Sequence, residues 1–244
     1  HAVGVNFIDT YFRMGAYPSP VGMPFVAGNE GAGEVIAVGP GVTDLKVGDR
    51  VAYANPMGSY AERCLRPADR LVKVPAGIDD QVAAAIMLKG MTAWYLVRRT
   101  YKVKKGDFVL VHAAAGGVGQ ILCQWAKHLG AVVIGTVGSE DKARIARAAG
   151  CDHAIDYSRE DFAVRVREIT DGNGVPVVYD SVGRTTFEGS LKSLSPRGVL
   201  AYFFARSLRS DSLPRARSYS RILSMFAARW VVTRARTQVL QWFK

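Results

Sequence analysis

The residues with the clearest chemical role form a glycine-rich segment at 113–119, with the sequence AAAGGVG. It follows a short apolar run at 108–112 and precedes a helical pattern at 119–129. Glycines at a strand-to-helix turn let the backbone approach a pyrophosphate closely, and the start of the helix offers free N–H groups and the positive end of its dipole. The spacing is AxxGxxG, with the small residue Ala113 in place of the usual first glycine. We therefore predict a dinucleotide-binding turn.

The end of the next predicted strand, 132–137, decides which dinucleotide fits. An NAD site usually places an acid there, which hydrogen-bonds the ribose 2′-hydroxyl. Here Gly138 and Ser139 follow the strand, and Lys142 lies in the first helical turn, where a cation favours a 2′-phosphate. We interpret Glu140 and Asp141 as first-turn acids behind a Ser139 cap, in preference to ribose ligands. The expected cofactor is NADPH.

These motifs need a scaffold that brings strand ends together, and the chain from 108 to 203 predicts one. Short apolar strands alternate strictly with helical segments. The predicted strands are 108–112, 132–137, 153–156, 177–180 and 198–203, and the predicted helices are 119–129, 140–149, 161–170 and 186–194. This alternation indicates an α/β fold with a Rossmann-type, doubly wound parallel sheet.

The first part of the chain has a different pattern. Short strands broken by turns, at 33–39, 47–53, 60–65 and 71–74, predict a small, irregular β-barrel. Asp79 or Asp80 is predicted to cap a helix through residue 88, and a second helix is predicted at 92–101.

Metal-dependent and hydrolytic chemistry are both disfavoured. The four histidines, His1, His112, His128 and His153, have no partner at a metal-ligand spacing, and the three cysteines do not cluster. We interpret each histidine as structural in preference to a metal ligand. The sequence has no GxSxG motif and no Cys/His pairing that would suggest hydrolysis.

The net charge of +11 is concentrated at one end of the chain. Residues 204–244 hold eight arginines and Lys244 against Asp211, so +8 lies there and +3 in the other 203 residues. This distribution argues against nucleic acid as the main partner. An apolar fraction of 49% without a run of eighteen apolar residues is typical of a globular protein that does not span a membrane. Three separated cysteines favour a reducing, cytoplasmic setting.

Four motifs together resemble the NADPH:quinone oxidoreductases, the ζ-crystallin-like, zinc-free members of the medium-chain dehydrogenase/reductase family. They are VNFIDTY at 5–11, GNEGAGEV at 28–35, AAAGGVG at 113–119 and DSVG at 180–183. The resemblance covers residues 1–203 and implies a GroES-like β-barrel domain before the Rossmann domain. It places Asn6, Asn29 and Lys89 where zinc enzymes of the family have metal ligands, and so implies that no zinc is bound.

The resemblance also implies the site residues. Asn6 and Tyr11 correspond to catalytic polar residues beside the nicotinamide and the quinone. The implied cofactor-binding residues are Thr92 near the domain junction, Ala115, Gly116, Gly117 and Val118 in the pyrophosphate turn, Gly138, Lys142 and Tyr157 around the 2′-phosphate, and Ser181 and Val182 near the nicotinamide ribose. The alternative for Tyr11 is a packing tyrosine, and the alternative for Asp9 is a carboxylate that bonds only its own turn.

Three segments are expected. The first is an incomplete GroES-like catalytic domain at 1–88, whose first strands would precede His1. The second is an NADP-binding Rossmann domain at 89–203, incomplete at its C-terminal end. The third is an atypical basic tail at 204–244, read out of frame or disordered, in which residues 221–232 are suited to a basic amphipathic helix. The resemblance further implies a homodimer formed through sheet edges.

The implied function is zinc-independent reduction of a small-molecule quinone by NADPH, through hydride or electron transfer. Two alternatives stay open. One is an NADPH-dependent enone or enoyl reductase, which uses the same nicotinamide chemistry. The other is an inactive, truncated family member that at most binds nucleotide or RNA. The sequence does not distinguish one-electron from two-electron reduction.

Overall fold

The structure, a computed structural model, describes residues 1–203 and 221–224, which belong to two compact units. One unit contains His1–Met91, and the other begins at Thr92. Each unit has its own sheet, antiparallel in the first and parallel in the second. Among the described residues, no helix has both the length and the apolar character needed to cross a membrane.

The first unit is built on four antiparallel strands that pair in chain order. They are β1 (Ala2–Gly4), β2 (Glu30–Glu34), β3 (Arg50–Ala54) and β4 (Val72–Lys73). The helix α1 (Phe7–Arg13) lies between β1 and β2, a single 3₁₀ turn (Ala68–Arg70) precedes β4, and α2 (Asp80–Tyr95) follows it. Buried Val35, Leu45 and Val51 form a small hydrophobic core. Of the strand predicted at 33–39, only residues 33 and 34 belong to β2, and the prediction for 35–39 is wrong.

The prediction of a strand at 60–65 is wrong. In this segment the backbone N–H of Tyr60 donates to the carbonyl of Ala27 at 3.0 Å, and Leu65 is 95% exposed. Within the part of the chain that the structure describes, this segment pairs with no strand, and β structure depends on the neighbour that a strand finds.

The prediction of two separate helices around Gly90 is also wrong. The structure has one continuous helix, α2, which runs into a single π-helical turn at Leu96–Thr100. A glycine inside a helix costs about 1 kcal/mol relative to alanine. Burial of Ala84, Met87 and Ala93 along α2 offsets that cost, because apolar burial contributes about 25 cal/mol per Å².

The second unit contains a six-stranded parallel sheet with helices between the strands. The strands are β5 (Phe108–Val111), β6 (Val132–Val137), β7 (His153–Asp156), β8 (Val175–Asp180), β9 (Leu194–Tyr202) and β10 (Arg221–Ser224). The helices are α3 (Gly117–His128), α4 (Glu140–Ala148), α5 (Phe162–Ile169) and α6 (Phe187–Ser193). Leu110, Ile134, Val178 and Leu200 lie in its fully buried core.

The strand order is β10-β9-β8-β5-β6-β7, so the chain winds away from β5 in both directions. This is the predicted doubly wound arrangement, and it places the topological switch point between β5 and β8. In open sheets of this kind, ligands bind outside the carboxyl ends of the strands at the switch point. The fold therefore directs attention to the loops that follow β5, β6 and β8.

The basic amphipathic helix expected at 221–232 is contradicted at its start. Arg221–Ser224 form β10, which pairs in parallel with β9 from Arg221 opposite Val199 to Ser224 opposite Tyr202. An unpaired edge of β9 would leave backbone N–H and C=O groups open, and β10 satisfies one side of it. A strand of four residues is too short for the alternation of apolar and polar side chains to be recognised in the sequence. The rest of the predicted basic tail, 204–220 and 225–244, lies outside the described residues.

Candidate functional site

The loop after β5 has the form of a phosphate-binding turn. Gly116 is the N-cap of α3, with no side-chain hydrogen bond to the start of the helix. A Cβ on Gly119 would lie 2.2 Å from the carbonyl oxygen of Ala113, so only glycine fits this close passage of the helix over the turn. The first N–H groups of an α-helix have no partner within the helix, and at an uncapped start they remain available to an anion.

The neighbouring helices begin differently. At the start of α4, the Ser139 hydroxyl accepts from the backbone N–H of Lys142 at 3.3 Å, and at the start of α5 the Asp161 carboxylate accepts from Ala163 at 2.8 Å. These two helices carry the side-chain caps that stabilise helix starts by about 1 kcal/mol each. The helix α3 begins without such a cap, as α6 also does, so the start of α3 behind the glycine turn is a candidate place for an anion.

The loops after β6 and β7 bring together the residues expected to hold a 2′-phosphate. A Cβ on Gly138 would lie 2.6 Å from the hydroxyl of Tyr157, so the two residues are in close contact. Tyr157 follows β7 and is 51% exposed. Lys142 lies in the first turn of α4, and its ammonium forms no ion pair with any described residue.

The two acids that complicated this site are engaged elsewhere. Glu140 forms an ion pair with Arg147 at 2.7 Å, and Asp141 pairs with Arg144 on the same exposed helix. Both carboxylates lie in the first turn of α4. These contacts agree with the interpretation of Glu140 and Asp141 as helix acids, and they leave the end of β6 to Gly138, Ser139 and Lys142.

The loop after β8 is held by a buried carboxylate. Asp180 ends β8 and is fully buried. Its Oδ1 accepts from the backbone N–H groups of Val182 at 2.8 Å and Gly183 at 2.9 Å. This Asx-type turn fixes the backbone of Ser181 and Val182 directly outside the carboxyl end of the strand.

The predicted cofactor-binding residues of the second unit thus follow four adjacent strands at one edge of the sheet. At about 4.8 Å between neighbouring strands, the span from β8 to β7 is about 14 Å, which suits an extended dinucleotide. A cavity of about 760 Å³ in this unit is lined by both Tyr157 and Val182. Thr92 is the exception, since its buried side chain lies in α2 and away from these loops in sequence.

In the first unit, the start of α1 is the centre of a polar network. Asn6 is the N-cap of α1, and its backbone N–H donates to the Asp9 carboxylate at 3.0 Å. Asp9 is 6% exposed and also accepts from the amide of Asn29 at 2.6 Å and the hydroxyl of Tyr60 at 2.8 Å. The alternative in which Asp9 bonds only its own turn is therefore wrong. Burial and the Asp9 carboxylate raise the pKa of Tyr60 to about 12, so Tyr60 stays a donor.

A second carboxylate, Glu30, is completely buried beside this network. Its Oε1 accepts from the Asn6 amide at 2.8 Å and from the Lys89 ammonium at 2.6 Å, and its Oε2 accepts from the backbone N–H of Leu88 at 2.7 Å. A Cβ on Gly4 would lie 2.2 Å from Oε1 of Glu30, so glycine is required there for the carboxylate to reach its partners.

These residues do not fit a zinc ion. The three positions that the family resemblance aligns with zinc ligands hold two neutral amides, Asn6 and Asn29, and the ammonium of Lys89, whereas zinc sites use Cys, His and carboxylates. Lys89 already supplies the positive charge beside Glu30. Within residues 1–203 and 221–224, no group of three His, Cys, Asp or Glu side chains is arranged to hold a metal.

The two predicted catalytic residues have different neighbours. The amide of Asn6 contacts Glu30, whereas the ring of Tyr11 packs edge-on against Tyr17 with centroids 5.4 Å apart. Local spacing gives no signal for Tyr60 and Glu30, because they lie far along the chain from α1, and Lys89 is named only through the family resemblance. A cavity of about 780 Å³ in this unit is lined by β2, β3 and the segment 61–68, and none of the predicted site residues lines it.

Comparisons with known proteins agree with this architecture. The family model described as zinc-binding dehydrogenase matches residues 117–244, and that of the alcohol dehydrogenase GroES-like domain matches residues 1–76. A quinone oxidoreductase of Pseudomonas aeruginosa is 57% identical over 203 residues, and a 2-haloacrylate reductase of a Burkholderia species is 56% identical over 207 residues. Each alignment covers 83% of this chain and 62% of the relative, so the chain spans less than two thirds of their length.

A solved structure of a quinone oxidoreductase has the same fold. The quinone oxidoreductase of Escherichia coli complexed with NADPH superposes with a TM-score of 0.88 at 44% identity. The match covers 98% of this chain and 76% of that one.

Proposed function

The chain belongs to the medium-chain dehydrogenase/reductase family, among the quinone oxidoreductases, and from that membership we propose that it reduces a small-molecule quinone with NADPH and without zinc. The observation that carries this proposal is the start of α3, which follows a glycine turn and has no side-chain cap. Gly138 and Lys142 follow β6 and Tyr157 follows β7, at the same end of the sheet. Family names alone cover many substrates, whereas this edge of the sheet has the chemistry of a dinucleotide phosphate site.

The residues of the second unit would bind and orient the cofactor. The N–H groups at Gly116, Gly117 and Val118 would face the pyrophosphate beside Ala115, as the dipole of α3 favours. Lys142 would form a charge-assisted bond with the 2′-phosphate, for which Tyr157 would provide a hydroxyl. We place Ser181 and Val182 near the nicotinamide ribose and Thr92 as a further contact with the cofactor. When bound, NADPH supplies the electrons and the hydride.

The residues of the first unit would act on the quinone. Charge that develops on a quinone oxygen needs hydrogen-bond donors in the absence of a metal. Tyr11 is half-buried and offers a hydroxyl. Asn6 uses its amide N–H on Glu30, which fixes the orientation of this side chain at the start of α1. We therefore propose Tyr11 as the donor to the quinone and Asn6 as the polar residue that shapes the pocket beside it.

The proposed cofactor preference is tested by fluorescence titration of the purified chain with NADPH and NADH. Lys142→Ala should weaken NADPH binding by about 10-fold to 100-fold, since a hydrogen bond to a charged group contributes about 1.5–3 kcal/mol. NADH binding should stay within about twofold. Lys104→Ala, an exposed lysine in the turn before β5 at the amino edge of the sheet, is the matched control. Equal losses for both nucleotides in Lys142→Ala would contradict the 2′-phosphate assignment.

The similarity to the 2-haloacrylate reductase favours a second candidate substrate class, the activated alkenes of enone or acrylate type. The cofactor chemistry is the same for both classes, and the shape of the pocket separates them. Turnover of a benzoquinone, an enone and a 2-haloacrylate under identical NADPH conditions distinguishes them. A chain that binds NADPH and reduces none of the three would be the inactive family member.

Two wider proposals accompany this function. Three free thiols, Cys64, Cys123 and Cys151, support a reducing, cytoplasmic compartment. We also propose a homodimer, in which the sheet edges are the pairing surfaces. Light scattering at several protein concentrations tests the second proposal, and a mass equal to one chain throughout would refute it.

A further inference from the structure

His112 occupies a position that the proposed function does not use. It directly follows β5 and precedes the phosphate-binding turn, and its backbone N–H donates to Tyr179 in the neighbouring strand β8 at 3.0 Å. The ring is 1% exposed and packs edge-on against Phe162 with centroids 4.9 Å apart. A buried imidazole must have partners for both nitrogens, or the fold loses free energy.

Both nitrogens have partners, which lie on two different elements. Nδ1 lies 2.8 Å from the hydroxyl of Thr136 on β6, and Nε2 lies 2.9 Å from the hydroxyl of Ser190 on α6. Ser190 in turn donates to Oδ2 of Asp180 at 2.9 Å, and the Thr186 hydroxyl donates to the same oxygen at 2.8 Å. Thr136 on β6, His112 after β5, Ser190 on α6 and Asp180 on β8 therefore form one continuous chain of hydrogen bonds.

The direction of this chain follows from the number of available protons. Ser190 has one hydroxyl proton, which it donates to Asp180, so its oxygen accepts from Nε2–H of His112. Burial lowers the pKa of His112 to about 4, so the ring is neutral and Nδ1 accepts from the Thr136 hydroxyl. The tautomer is thus set by the carboxylate of Asp180 through Ser190.

The two ends of the chain reach the two loops that flank the switch point. Asp180 holds the turn at Val182 and Gly183 through its other oxygen. The backbone N–H of Ala114, in the phosphate-binding turn, donates to the carbonyl of Thr136 at 3.1 Å. Beside the backbone hydrogen bonds of the sheet, these side chains therefore make a second connection between the two loops, which a nucleotide need not touch.

We infer that His112 is a positioning residue for the dinucleotide, which fixes the loop after β5 relative to the loop after β8 through Thr136, Ser190 and Asp180. This inference rests on the proposed function for the identity of the nucleotide, but the coupling of the two loops does not depend on it. His112 acts through its neighbours and does not contact the reacting atoms.

The test uses variants of the full chain that break the hydrogen-bond chain at one point. Ser190→Ala removes the link to Asp180. His112→Asn keeps an acceptor near the Nδ1 position, for Thr136, and loses the donor to Ser190, whereas His112→Gln keeps a donor near the Nε2 position. Ser193→Ala is the matched control, because Ser193 is also fully buried on α6 but donates to the carbonyl of Gly189.

Two kinds of measurement are made on each variant, one on the loops and one on cofactor binding and turnover. Amide hydrogen exchange at 113–119 and 181–183, without nucleotide, reports the loops themselves. Fluorescence titration with NADPH, together with kcat and the KM for NADPH, reports binding. Ser190→Ala and His112→Asn should speed exchange in both loops and raise the dissociation constant about tenfold, which is the loss of one hydrogen bond of about 1.4 kcal/mol. The value of kcat should change less than about twofold, and His112→Gln should recover most of the binding.

The outcomes separate this inference from the proposed function. If Ser190→Ala behaves like Ser193→Ala in loop exchange and in NADPH binding, His112 is only a packing residue and the inference is overturned. If the unmodified chain binds no NADPH but the loops respond to Ser190→Ala, the positioning role stands and the cofactor assignment fails. Should His112→Asn not fold, the comparison of Ser190→Ala with Ser193→Ala decides the matter alone.

Discussion

Removal of the Lys89 ammonium tests whether this lysine supplies the positive charge that compensates the buried Glu30 carboxylate. Glu30 is fully buried and binds three donors, of which only the ammonium, at 2.6 Å, carries a charge. In Lys89→Met the carboxylate would keep only the Asn6 amide and the Leu88 N–H. Breaking a buried ion pair at one partner costs about 3–5 kcal/mol, because the other charge is left uncompensated.

The assay is chemical denaturation at pH 7, monitored by the fluorescence of the four tryptophans. Lys89→Met should lower the free energy of unfolding by about 3–5 kcal/mol. The double variant Glu30→Gln with Lys89→Met has no buried charge, and it should recover to within about 1.5 kcal/mol of the unmodified chain, since neutral replacements of buried pairs are often tolerated.

A double-mutant cycle completes this experiment, because it isolates the interaction of the two residues from their separate effects. Lys73→Met is the control, since Lys73 pairs with Asp49 at the surface, where such pairs contribute about 0–1 kcal/mol. A loss of less than about 1 kcal/mol in Lys89→Met, or no recovery in the double variant, would refute the view that Lys89 compensates Glu30.

Three further predictions concern the glycine turn, the buried histidine and the proposed donor. Gly119→Ala places a Cβ 2.2 Å from the carbonyl oxygen of Ala113, so NADPH binding measured by titration should fall more than about tenfold, whereas Gly39→Ala, with open space around the glycine, should leave it unchanged. The pKa of His112 is lowered to about 4 from its usual 6.5, so the unfolded chain binds more protons between these values, and stability should fall by up to about 3 kcal/mol as the pH drops from 6.5 through 4. Denaturation at several pH values checks this, and His112→Gln should show a smaller slope in that window. Tyr11→Phe should lower kcat with a quinone about 100-fold without changing NADPH affinity, and unchanged turnover would show that Tyr11 is not the donor.

Local sequence patterns predicted the second unit well because its elements depend on near neighbours. The strand at 132–137 and the helix starts at Ser139 and Asp161 were predicted from apolar runs and capping residues, and the structure has them there. The glycine turn belongs to the same class, since Gly119 is required by a carbonyl six residues away. Such features are decided within a few residues, where the chain itself limits the geometry.

Long-range pairing could not be predicted in this way. Among the described residues, no strand pairs with the segment 60–65, and the strand at Arg221–Ser224 exists because β9 offers it an edge. The spacing of apolar and polar residues within each segment does not predict either outcome, because a β-strand depends on the neighbouring strand with which it pairs. The same holds for the continuous helix through Gly90, where burial outweighed local propensity.

The sequence by itself determined the α/β class, the parallel doubly wound sheet and the glycine turn between β5 and α3, because each follows from local spacing and residue type. Only the tertiary structure decided that Glu30 meets Lys89 across 59 positions, that Asp9 binds Asn29 and Tyr60, and that His112 joins Thr136 to Ser190. These contacts join residues from different elements. Side-chain hydrogen bonds of this kind need atoms within about 3 Å of each other, and only the folded chain brings them that close.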